Sequence, residues 1–104
     1  MMKVRLIAAL LLSCSMPALA AGNSSAGQEK SVRCLACHGA DGKAAAPIYP
    51  NLAGQHEAYL VLALQAYKSG ARSGGQAEVM KAFVAGLSDD DIDDLAAYYA
   101  GLKP

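Results

Sequence analysis

The sequence predicts an all-α protein on three observations. No stretch alternates apolar and polar residues in the manner of a half-buried strand. Apolar residues instead recur at helical spacing in two segments, Leu60, Ala63, Leu64 and Tyr67, and Ile92, Leu95, Ala96 and Tyr99, each set lining one helix face. Capping residues bound these segments: Gly70 follows the first, and Ser88 with Asp91 precedes the second.

Taken in order, residues 1–20 read as a secretory signal peptide. Lys3 and Arg5 precede the apolar run Leu6 to Leu12, and Pro17-Ala18-Leu19-Ala20 supplies an A-x-A cleavage site. The run is short for a bilayer span, so no stable membrane insertion is expected after leader removal. Leu11-Leu12-Ser13-Cys14 loosely resembles a lipobox, which leaves acylation of Cys14 as the competing reading. Residues 21–25 are expected to be a flexible lead-in and 26–104 a single domain. Ser25 and Gln28 make a capping-box start for a helix from Ala26 to Ala36, in which Ala26 and Gly27 permit close approach of another helix. Residues 39–54, rich in Gly, Ala and Pro, form a loop long enough to suggest a task of its own. A second helix should run from His56 to Ser69 and stop at Gly70. After a loop over 71–76 comes a possible helical turn over 77–86, then the last helix, opened by the Ser88 and Asp91 box.

Removal of the leader leaves seven Lys and Arg against nine Asp and Glu, a net charge of −2. A chain so near neutrality has no nucleic-acid footprint. A domain of about 80 residues is also marginal on its apolar core alone. No disulfide framework can staple it, because only Cys34 and Cys37 remain once Cys14 is removed.

Those two cysteines stand in Cys34-Leu35-Ala36-Cys37-His38, the C-x-x-C-H spacing of c-type haem attachment. Residues three and four apart share a helix face, so both thiols can reach one porphyrin edge and form thioethers while His38 turns its ring under the iron. A zinc half-site or a thioredoxin-like dithiol would also use C-x-x-C. The first needs another ligand pair, and no cysteine follows His38; the second needs a βαβ pattern, and none is present. A covalent haem would also serve as the core that this short chain lacks.

If His38 takes one axial position, the other decides what the iron does. Met80 is the one methionine beyond the leader, placed after a Gly-rich segment where a loop can carry it to the opposite face. Its thioether would favour ferrous iron and fill the site that a gas or peroxide would otherwise take. The competing role for Met80 is filling a core gap. His56, beside Glu57 at a helix start, reads as a surface or capping residue; as a ligand it would lower the potential.

These pieces together resemble the class I c-type cytochromes, in particular the small bacterial mono-haem type and the domains of di-haem cytochrome c-four. The resemblance rests on Ala26-Gly27-Gln28, Cys34 to Gly39, Pro50 to Gln55, Tyr59-Leu60, Ser69-Gly70 with Arg72, Met80, Leu87-Ser88 and Leu95 to Tyr98, which cover the mature chain in the family's order. It implies a cytochrome c fold, three main helices and long loops packed around one haem c, with His38 and Met80 as axial ligands. It further implies that the Pro50 carbonyl accepts the His38 Nδ1 proton and that Arg72 contacts a haem propionate. Without it, Pro50 reads equally as a loop stiffener and Arg72 as a solvated cation. The chain departs from many members in carrying Lys30 where an aromatic residue packs on the terminal helix. First and last helices are then expected to rely on Ala26, Gly27, Tyr98 and Tyr99. The acidic run Asp89 to Asp94 is read as complementing the helix dipole, with partner docking as the alternative.

The expected function is one-electron carriage in the periplasm, by a monomer that is not an enzyme, between a reductase and a terminal oxidase or other redox enzyme. Its contacts with redox partner proteins should be transient. The alternatives are a haem sensor or peroxidase with an open or labile sixth site, and an electron-transfer subunit of a dehydrogenase complex.

Overall fold

The computed structural model describes residues 2–3 and 22–104; the rest of the expected leader, including Cys14, lies outside them. Among the described residues the regular structure is helical, with no strand.

Helix α1 spans Ser24–Lys30, and its cap is Asn23 rather than Ser25. The Asn23 side-chain oxygen accepts from Ala26 N at 2.9 Å, while the Asn23 backbone N–H donates to Asp94 Oδ1 at 2.7 Å. That tie to the far end of the chain decides between two good local caps, and it places Ser24 and Ser25 of the expected lead-in inside the helix. The expected continuous helix to Ala36 also breaks. A 3-10 turn over Ser31–Cys34 separates α1 from a single-turn helix α2, Leu35–His38. In the turn, Ser31 Oγ donates to the Gln28 carbonyl at 2.7 Å. Gly39, at φ +81°, then swings the chain into the long loop; a Cβ there would overlap the Lys43 carbonyl.

Helix α3, Glu57–Ser69, begins after His56 and ends at Gly70 with φ +80°, as expected. The expected turn over 77–86 is an eight-residue helix, α4, Ala77–Val84. Helix α5, Asp89–Ala100, has both bonds of the capping box: Asp91 N to Ser88 Oγ at 3.1 Å and Ser88 N to Asp91 Oδ2 at 2.9 Å.

Helix α5 is the keel, packing on α1 and α3, while α4 packs on α3. Ile92 and Ala96 are fully buried, and Leu60, Leu95, Ala96 and Tyr99 form one cluster. The α1/α5 crossing is close: a Cβ on Gly27 would overlap the Asp94 carbonyl and lie 2.8 Å from Tyr98 Cβ. Lys30 adds what the sequence reading did not foresee. Its ammonium sits 2.8 Å from Asp91 Oδ1 and 2.6 Å from Asp94 Oδ2, clamping the two helices. Hydrogen bonding to Lys30, and then to the Ser88 backbone, holds the Asp91 carboxyl down at about 2. Lys30 likewise lowers Asp94. Asp89 accepts from Gln65 Nε2 at 2.9 Å, so three carboxylates of the acidic run have partners within the fold.

The long loop is pinned rather than slack. The Gly42 carbonyl accepts from Leu52 N at 2.7 Å and Ala53 N at 3.1 Å, and Asn51 Oδ1 accepts from Ala44 N at 2.7 Å. Gly54 N donates to the Tyr99 carbonyl at 2.9 Å, which ties the loop's end to α5.

Candidate haem site

A cavity of about 340 Å³ opens between the N-terminal segment, the long loop and helices α3, α4 and α5. Cys34, Cys37, His38, Pro50, Arg72 and Met80, the six residues singled out from sequence, all line it. Ile48, Leu52, Leu60, Leu64, Phe83, Leu95 and Ala96 make most of the remaining wall apolar.

The 3-10 turn and the single turn α2 bring Cys34, Cys37 and His38 onto this wall. His38 is buried, and its Nδ1 lies 2.9 Å from the Pro50 carbonyl. A proline carbonyl can only accept, so Nδ1 carries the proton and Nε2 is left with its lone pair free to bind a metal. Tyr49 stands edge-on to the imidazole, with ring centroids 6.5 Å apart. Cys34 and Cys37 are half-buried, and neither is in a disulfide. Burial, above all, pushes the Cys34 thiol up. Among the described residues no cluster of three or more His, Cys, Asp or Glu gathers around the pair, which leaves a zinc reading without its ligands.

Met80 is half-buried and is presented by helix α4, within the stretch 77–86 expected as a helical turn, rather than carried by a loop. Arg72 is exposed at the rim, its guanidinium 4.7 Å from the Tyr67 ring. His56 caps α3 at the surface and does not line the cavity. Tyr99, read from sequence as packing, contributes to the wall, and its buried hydroxyl has no hydrogen-bond partner. Its position on the buried stripe of α5 was the one signal that it faces inward.

The donor set fits a haem: two thiols at C-x-x-C spacing, an imidazole nitrogen of fixed tautomer and a thioether around one apolar slot. An all-α fold built on such a slot defines a c-type cytochrome. The cytochrome c family model matches residues 20–103, and the chain belongs to that family. Cytochrome c-554(548) of Halomonas halodenitrificans is 52% identical over 80 residues, covering 77% of this chain and 96% of the relative. Cytochrome c4 of Pseudomonas aeruginosa is 44% identical over 101 residues, covering 95% of this chain and 49% of the relative. The crystal structure of reduced recombinant cytochrome c4 from Pseudomonas stutzeri superposes with a TM-score of 0.70 at 43% identity, covering 80% of this chain and 47% of that one. The chain thus spans about half the length of these cytochrome c4 relatives and nearly all of cytochrome c-554(548). Its cofactor is covalently attached haem c with iron, and its class is that of a c-type electron carrier.

Proposed function

We propose that the chain is a monomeric periplasmic carrier of single electrons, with Cys34 and Cys37 bonded to the haem as thioethers and His38 and Met80 as axial ligands. One observation carries the reading: all four side chains line a single cavity, with the His38 ring fixed by Pro50 so that Nε2 is free to bind a metal. When bound, the haem supplies iron that cycles between Fe(III) and Fe(II). His38 and Met80 would hold the group in both of its oxidation states, so that electron transfer would need no exchange of protein ligands. The Pro50 carbonyl keeps His38 oriented and basic. The Arg72 guanidinium at the rim offsets propionate charge. The apolar wall excludes water. Delivery to the periplasm would follow cleavage after Ala20, and among the described residues no helix is long and apolar enough to cross a membrane.

The test compares spectra and redox titrations of the wild type and Met80→Ala. Wild type should show the far-red ferric thioether band and ignore carbon monoxide after reduction. Met80→Ala should lose the band, bind carbon monoxide and titrate at a lower potential. Fast carbon monoxide binding by the native ferrous protein would support the sensor or peroxidase reading instead. Intact mass reports leader removal and haem attachment together. Size exclusion of the native extract separates a free monomer from a subunit of a larger complex.

A further inference from the structure

Among the described residues, the Tyr99 hydroxyl is the one buried side-chain polar atom without a hydrogen-bond partner. Tyr99 is 4% exposed, lines the cavity, and belongs to the cluster on which Cys34 packs. Buried polar groups in native proteins are nearly always bonded, yet this hydroxyl makes no hydrogen bond of ordinary geometry within the polypeptide. Cys34, Ser31 and, more weakly, Tyr98 are the polar side chains that act on it. Ser31 is itself buried and already donates to the Gln28 carbonyl at 2.7 Å. Burial raises the Tyr99 phenol, so its oxygen keeps its proton across the working pH range.

A free Cys34 thiol is a donor as well as a weak acceptor, which leaves the polarity of any Tyr99–Cys34 contact open. Addition of that S–H across a haem vinyl group would break the S–H and C=C π bonds, form a C–S bond and carry the hydrogen to the other vinyl carbon, and the resulting thioether sulfur can only accept. Resting on the reading of Cys34 as a thioether anchor, we propose that the Tyr99 hydroxyl donates to the Cys34 sulfur in the holoprotein and thereby raises the haem's reduction potential. Tyr99 would act through Cys34 as a positioning and tuning residue. An O–H dipole with its positive end toward the porphyrin edge favours the state with one more electron, and a buried site screens that dipole little. Because sulfur is a weak acceptor, the effect should be smaller than that of losing Met80.

The test uses the full chain matured with haem, as wild type, Tyr99→Phe and Ser31→Ala. Intact mass establishes haem attachment in each before the midpoint potential is read. Tyr99→Phe should carry haem and titrate below wild type, while Ser31→Ala should keep the wild-type potential. A Tyr99→Phe midpoint equal to wild type would overturn the proposal. So would a Ser31→Ala shift equal to that of Tyr99→Phe, since the hydroxyl would then belong to Ser31. An arm that needs no variant is resonance Raman of the wild type in H₂O and D₂O. The C–S stretch should move on exchange, and a stationary band would equally overturn the bond. Wild type without the haem mass increment would remove the Cys34 assignment itself, so the two failures are told apart.

Discussion

Gly27 shows how much a single missing methyl can decide. Its Cα lies so near α5 that a Cβ would overlap the Asp94 carbonyl and crowd Tyr98 Cβ at 2.8 Å. Neither contact is the free end of a flexible side chain, so the helices themselves would have to separate. Gly27→Ala should therefore destabilise the holoprotein by roughly 1–3 kcal/mol, the usual cost of overpacking, despite alanine's better helix propensity. Guanidinium unfolding followed at the haem band would measure it, and a stabilised variant would contradict the close crossing. Arg72 presents the opposite case, an exposed side chain whose effect is electrostatic. Its guanidinium near a propionate would favour the reduced haem, so Arg72→Gln should titrate at a lower potential, more so at low ionic strength. A midpoint indifferent to the change at every salt concentration would leave Arg72 as a partner of Tyr67 alone.

At the scale of elements, the α1/α5 clamp gives the fold a sensitivity to acid. Asp91 titrates at about 2 against an ordinary value of 3.8, and Asp94 is lowered too. A carboxyl depressed in the folded state contributes stability above its unfolded pKa, and that contribution is lost as pH falls through the folded one. The window therefore runs from about pH 4 down to about pH 2. Lys30→Met removes the cation that is the largest cause of both shifts, so stability plotted against pH should fall less steeply across that window than in wild type. Urea midpoints at half-unit intervals would show it. Equal slopes would mean that the clamp makes no net contribution in solution. The same elements show what a sequence can reveal. Helices α3 and α5 were legible because stripe, cap and stop all lie within the segment: Leu60 to Tyr67 with Gly70, and Ser88 with Asp91. The C-x-x-C-H run and Met80 were legible because scarcity left few competitors. The start of α1 was not, since Asn23 and Ser25 are both good caps and Asp94, 71 residues away, favours the first. Nor was the role of Lys30, whose carboxylate partners lie about 60 residues downstream. The inward hydroxyl of Tyr99 was hidden as well, because helical periodicity assigns a face to a side chain but no bonding partner to its oxygen.

For the molecule as a whole, the cavity lies where the centre of a core would be. Among the described residues the chief apolar cluster comprises Leu60, Leu95, Ala96 and Tyr99, with Cys34, Leu52, Leu64 and other half-buried side chains packed against it. Leu60, Ala63, Leu64 and Tyr67, the stripe that made α3 recognisable, all face the cavity. Without a filling group this wall of α3 would meet water or collapse, and either outcome loosens its contact with α5. The loop from Gly39 to Gly54 would loosen with it, since its hydrogen bonds to sequence-distant residues run through Pro50 to His38 and through Gly54 to Tyr99. Haem attachment and folding should therefore be one event, as expected when a group binds only the native state. The chain with both Cys34→Ala and Cys37→Ala, made beside a competent maturation system, should lack a cooperative thermal transition. Some helical circular dichroism should survive, because the caps of α5 and its clamp to α1 need no haem. Near-ultraviolet signals from Tyr49, Tyr59, Tyr67 and Tyr99, all on the cavity wall, should be lost. A sharp transition with near-ultraviolet structure intact would show that the polypeptide alone closes its core, and the haem would then be a passenger in the fold rather than its centre.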